Sequence, residues 1–216
     1  MAKGAWRPPK KEADFARRPA QRAPRRRILI VCEGESTEPH YLNDLKAALG
    51  LTSAEVKVVG DRCSSNPCAV VDYAIRQMKD EPGWDGAYCV FDKDGRDREG
   101  RDTYQEAIGK AAKVRLSGKR PVVAIPSVPC FEFWLLLHFV YTTAPFGSAK
   151  AAAARLTGHL PGYAKGARDV FSHVGNNLAK AEAHAARACA EADMNGIDNP
   201  STRVHDLVSA MRTIAE

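Results

Sequence analysis

Three short segments concentrate carboxylates beside apolar runs. Glu33, Glu35 and Glu38 lie in CEGESTEPHY, which continues directly from the run RILIVC. Asp92 and Asp94 close FDKD, at the end of GAYCVF. Glu132 lies in SVPCFEFW, directly after PVVAI. Two like charges at about 4 Å repel by roughly 4 kcal/mol at an effective dielectric near 20. Carboxylates brought together therefore stay ionised only if cations bind among them. Oxygen-only donors, with no Cys or His cluster competing, select a hard ion, Mg2+ or Mn2+. Such an ion polarises a phosphoryl oxygen and lowers the pKa of bound water. Asp92 and Asp94 are two apart, so in extended backbone they project to one side, placed to hold one ion or to bridge two. Thr37 and Ser127 are expected behind the ligands, as hydrogen-bond donors to them.

Each segment alone is a weak signal, because an Asp-x-Asp in a loop is ordinarily a solvated turn. The elements that position the segments make them informative together. RILIVC at 27–32 reads as a strand buried on both faces. A helix follows, with Pro39 in its first turn and Tyr41, Leu42, Leu45, Ala48 and Leu49 as its apolar stripe. VKVV at 56–59 is a second strand, and Asn66-Pro67 opens a helix running through Lys79. GAYCVF at 86–91 is a third strand, 103–116 a helix, PVVAI at 121–125 a fourth strand and 131–139 an apolar helix. This alternation predicts an α/β fold, a mainly parallel four-stranded doubly wound sheet flanked by helices. Beyond about residue 145 the chain is Ala-rich, and an all-helical C-terminal extension is expected. Its helices fall near 147–156 and 177–193, with a last one carrying Val204, Leu207, Val208, Met211 and Ile214 after a break at Asn199-Pro200-Ser201-Thr202. The organisation is thus a tail at 1–24, a core at 25–145 and a helical extension at 146–216 packed on that core. All three acidic segments leave the C-terminal edge of their strand, where open α/β sheets form sites. If strands two and three flank strand one, Glu33 faces the two aspartates.

Glu132 is the anomaly of its helix. A carboxylate beside Phe, Trp and Leu is costly unless paired or bound to metal, although a helix N-terminus tolerates negative charge. His138 lies about 240° round the helix from it and reads as a core histidine. Charge is uneven: the chain carries +6, but residues 1–27 hold ten Lys/Arg against two carboxylates, which leaves the rest at −2. A uniformly basic DNA-coating surface is thereby excluded. The Pro-, Ala- and Arg-rich tail is expected to be disordered, either a solubilising tail or a phosphate-seeking arm, with Arg25, Arg26 and Arg27 nearest the sheet. Six scattered cysteines without a CxxC pair, no signal-peptide pattern and no apolar run long enough for a bilayer point to a cytoplasmic, reduced protein without a membrane partner.

The blocks CEGESTEPHY, FDKD, SVPCFEFWLLLHF and NPSTRVHDLV, in this order, resemble the RloB-like family, the small partner in bacterial restriction-linked and phage-defence operons. The resemblance runs from about Arg27 to Leu207. It implies a Toprim-like sheet and Mg2+-dependent phosphodiester chemistry, with Glu33 as the Toprim glutamate and Asp92 and Asp94 as its DxD. It further implies Glu38, Ser127 and Glu132 around a second metal, and an AAA/ABC-type ATPase as partner. Glu35 falls on a variable position. Asp97 is either a further ligand or part of a solvated loop, and Lys180 and Asn176 either reach a phosphate or lie on an exposed helix face.

Two functional readings follow. One is a Mg2+- or Mn2+-dependent nuclease on DNA or RNA, with Glu33, Asp92, Asp94 and Glu132 catalytic and Glu38 completing the metal set. The other is a non-catalytic adaptor that binds nucleic acid or an ATPase and uses the acidic site structurally. A receiver-like phosphoacceptor fits poorly, since it needs paired acids after strand one and a single Asp after strand three. No Walker A loop, zinc-binding segment or tyrosine-bearing cleavage domain is present, which disfavours an ATPase, a primase and a topoisomerase. The oligomeric state is open.

Overall fold

The computed structural model describes residues 26–60, 66–93 and 103–216. The expected tail at 1–24, Arg25, Asp94 and Asp97 lie outside the described residues. Four parallel strands form as the apolar runs require: β1 (Ile28–Cys32), β2 (Val56–Val59), β3 (Gly86–Asp92) and β4 (Val122–Val128). Every residue of β1 is buried, as expected for a strand covered on both faces. The sheet order is β2-β1-β3-β4-β5. β1 therefore lies between β2 and β3, as the sequence reading requires.

The fifth strand corrects that reading. Ser201–Thr202 forms β5, antiparallel to β4, so the sheet has five strands and the C-terminal extension is not wholly helical. Two residues are too few to show alternation, and the Asn-Pro before them reads as a break. β4 also runs three residues past its expected end, through Pro126. Ala87 N–H donates to Pro121 O and Lys93 N–H to Ser127 O, so the odd-numbered residues of β4 face β3. Pro126 is turned outward, where its missing N–H costs the β3–β4 ladder nothing. Its carbonyl accepts from Arg203 N at 3.0 Å instead.

Helices cover both faces. α2 (Pro67–Asp80) and α3 (Tyr104–Lys113) pack on one face through residues such as Val70, Val71, Ala74, Met78 and Ala107. Asn66 caps α2 by accepting from Ala69 N at 2.9 Å, and Pro67 occupies the first turn, where no donor is lost. α1 (Thr37–Ala48) and α4 (Phe131–Leu137) take the other face. The same apolar cluster continues into α5 (Ala149–Thr157), α6 (Val170–Val174), α7 (Leu178–Asn195) and α8 (Val204–Ala215). α6 is an element the sequence reading lacks. α4 ends two residues before its expected limit and α3 three. The five expected residues of α8, from Val204 to Ile214, are all buried.

His138 follows α4 and is fully buried. One ring nitrogen lies 3.1 Å from Trp134 O and the other 3.1 Å from Tyr41 Oη. Burial pushes its pKa down to about 4, so the ring is neutral near neutral pH. The carbonyl can only accept, so Nδ1 carries the proton and Nε2 accepts from the tyrosine. This is a satisfied core histidine.

Candidate functional site

The chain leaves β1 toward the face of α1 and leaves β3 toward the face of α3. The two connections diverge at the C-terminal edge and open a crevice between the strands, the switch point of a doubly wound sheet. Glu33 stands at its rim. Its backbone N–H donates to Val90 O at 2.9 Å, and its Oε2 accepts from Asp92 N at 3.0 Å. Asp92 is the last residue of β3, half-buried, and is paired in register with Ser127. Its even-numbered position places it on the face of Tyr88 and Val90, which pack with α1 and α4.

A second pair of acids lies on that face. Glu38 and Glu132 are each the second residue of a helix, α1 and α4, and both are buried, at 7% and 4% exposure. Burial raises the Glu38 pKa, its own backbone N–H opposes that rise, the Glu132 charge adds to it and Lys165 reduces it. Space for the Glu38 carboxylate is made by Gly34, where a Cβ would collide with it. The Tyr163 hydroxyl donates to Glu132 Oε1 at 3.0 Å. Burial and the Glu132 charge push the Tyr163 pKa up, so the phenol stays a donor. Cys130 joins the two pairs. Burial raises its pKa and the charges of Glu132 and Asp92 raise it further. It therefore remains a thiol, and the acids on either side of it form one electrostatic tract.

A loop from the helical extension closes over this tract. Gly166 N–H donates to Thr37 Oγ1 at 2.8 Å, and Thr37 is buried. Gly166 has φ +90, where a side chain is strained, and its α-carbon faces Ser36. Thr37 thus fastens the loop that carries Tyr163 and Lys165. Sequence reasoning missed Cys130, Tyr163 and Lys165. The one signal was GYAKG at 162–166, a Tyr and a Lys bracketed by glycines outside any periodic segment.

Other sequence candidates are placed as follows. Ser127 is fully buried, and its Oγ lies 2.8 Å from Thr202 Oγ1, so its visible partner is β5. Glu35 is exposed. Lys180 Nζ donates to Phe139 O at 2.7 Å, while Asn176 is exposed in the 3-10 turn before α7. Arg26 and Arg27 precede β1, at the sheet edge opposite Glu33, about 20 Å or more away at 3.3 Å per residue. Arg26 is exposed. Arg27 is committed there: its guanidinium lies 4.5 Å from the centre of the Trp84 ring, and Nε donates to Ala54 O at 2.9 Å.

Glu33, Asp92, Glu38 and Glu132 offer oxygen donors alone, the chemistry that Mg2+ and Mn2+ require. Among the described residues, no group of three or more His, Cys, Asp or Glu side chains is gathered closely enough to hold one ion. Asp94 of the expected set lies outside the described residues. Beside Glu132 opens a cleft of about 350 Å3, walled by α5, Tyr163 and Lys165. A larger cleft, about 590 Å3, runs between α3, β4 and α7 and is lined by Asp193, Asp198, Arg203 and Asp206. Among the described residues no helix is long and apolar enough to cross a membrane. No curated protein and no solved structure matches the chain. The sequence model of the family described as RloB-like protein matches residues 28–211, from the start of β1 into α8. With that match over most of its length, the chain belongs to the RloB-like family.

Proposed function

We propose that this protein is a Mg2+- or Mn2+-dependent nuclease of Toprim-like type that hydrolyses phosphodiester bonds in DNA or RNA. The observation that carries the reading is the hydrogen bond from the Asp92 backbone N–H to Glu33 Oε2, which holds the Glu33 carboxylate against the end of β3 at the switch-point crevice, next to Asp92. Asp92 and Glu33, with Asp94, would hold one cation, and Glu38 and Glu132 a second. Such ions neutralise charge on the phosphoryl oxygens and make bound water nucleophilic at neutral pH. Glu33 is pre-positioned by the β3 backbone, so its carboxylate needs no reorganisation to ligate or to move a proton. Tyr163 orients Glu132 through its hydroxyl, and the loop fastened at Thr37 shields that pair from water. Family membership supports extending the proposal to phage defence with an AAA/ABC-type ATPase partner.

One observation favours the adaptor reading: Tyr163 already engages an oxygen of Glu132, as a structural carboxylate requires. Cleavage of DNA and tRNA by the wild type with Mg2+ or Mn2+, alone and co-expressed with the neighbouring ATPase, separates the two. Asp92→Ala is expected to lose at least about 100-fold in rate, the scale of a positioned catalytic group. Equal cleavage by the mutant would overturn the assignment. Calorimetry with Mn2+ that shows no binding would favour the adaptor.

A further inference from the structure

The cleft beside Glu132 combines three features. Its wall on α5 is made chiefly by Ala149, Ala153 and Ala154, with Thr157 at the end of the helix, its hydroxyl turned back onto Ala154 O. Residues four apart share a helix face, and alanine presents nothing beyond Cβ, so this wall is shallow and apolar. Tyr163 adds an aromatic ring, held in place by its hydrogen bond to Glu132. Lys150 and Lys165 line the same cleft and are both exposed, which puts positive charge at its mouth beside an otherwise acidic tract. A flat apolar wall, a ring and two cations suit a ligand that is planar at one end and anionic at the other. The volume, about 350 Å3, lies in the range of small-ligand pockets.

We propose that this cleft receives one unstacked nucleotide of a single-stranded nucleic acid, its base between the alanine wall and Tyr163 and its flanking phosphates at Lys150 and Lys165. In a duplex the faces of the bases are covered by their neighbours, and only the edges are exposed in the grooves. A base fills a pocket only after leaving the stack, which is least costly in a single strand. Stacking on aromatic rings with lysines on the backbone is the general chemistry of single-strand recognition. The inference rests on the nuclease reading only in placing a nucleic acid at this edge. It makes the substrate of that site a single-stranded region.

The test is fluorescence anisotropy of the full-length chain with labelled single-stranded and duplex oligonucleotides in EDTA, so that binding is read without cleavage. Ala154→Trp fills the cleft from an exposed position, and Lys150→Glu reverses one charge at its mouth. Ala154→Trp is expected to weaken single-strand binding about tenfold and to leave duplex binding and the melting temperature unchanged. Lys150→Glu is expected to weaken single-strand binding and flatten its dependence on salt. The proposal is overturned if both variants bind single strands like the wild type, if single-strand and duplex binding fall together, or if a mononucleotide binds as tightly as the oligonucleotide. A chain that cleaves nothing, alone or co-expressed with the ATPase, but shows the expected binding pattern refutes the nuclease reading and leaves this one standing.

Discussion

Glu38 and Glu132 place two buried carboxylates within each other's field, an arrangement that is costly for folding and useful for a cation. The Glu38 pKa is raised, so the folded state holds that proton more tightly than the unfolded chain does. Stability from this group is therefore present at acid pH and falls as pH rises from the ordinary carboxylate value through the raised one. Above that window the ionised Glu38 is a net liability. Glu38→Gln is expected to raise the melting temperature at neutral pH in metal-free buffer, with the difference vanishing below the ordinary carboxylate range. Each kcal/mol gained would appear as about 2–4 °C in a chain of this size. The same substitution should abolish any stabilisation of the wild type by Mn2+. A melting temperature unchanged or lowered at neutral pH would show that the Glu38 charge is already compensated within the protein.

At the scale of elements, the acidic edge is held by contacts between distant segments. β5 reaches the sheet from the C-terminal third of the chain and joins β4 next to Asp92 through the hydroxyl pair of Ser127 and Thr202. Both residues are fully buried. Removing one hydroxyl leaves the other with a lost partner and costs about 1–3 kcal/mol, whereas removing both spares that penalty and leaves only the long bond from Val204 N to Thr202 Oγ1, at 3.4 Å, unmade. Thr202→Val is expected to destabilise by that amount, and Ser127→Ala with Thr202→Val to recover most of it in denaturant unfolding. An additive loss in the double variant would show that the pair is not a unit. Because Ser127 and Asp92 are paired in register, Thr202→Val should also perturb Mn2+ binding, which calorimetry reads.

Along the chain, the basic charge and the acidic segments are separated. Ten of the basic residues lie in 1–27, and the rest of the chain is slightly acidic. Arg27, the last of the ten, sits at the sheet edge opposite the acidic tract and is spent on Trp84 and Ala54. Affinity for a phosphate backbone beyond the contacts proposed at Lys150 and Lys165 must then come chiefly from residues N-terminal to it, and it must be sensitive to salt. Deleting residues 1–24 is expected to weaken nucleic-acid binding and flatten its dependence on salt while leaving the melting temperature of the folded body unchanged. Anisotropy at several salt concentrations checks this, and an unaltered slope would assign backbone affinity to the body instead. The four parallel strands and the acids after β1, β3 and β4 were legible along the chain, because buried strands are local apolar runs and the C-terminal edge follows from chain direction, whereas the strand order around β1 was only a condition until the sheet supplied it. Tertiary structure alone decided that Tyr163 and Lys165 arrive over Glu38 and Glu132 and that Ser201–Thr202 completes the sheet. Those contacts join residues far apart in sequence, through a loop without periodicity and a strand of two residues, and neither leaves a repeating pattern in the sequence to read.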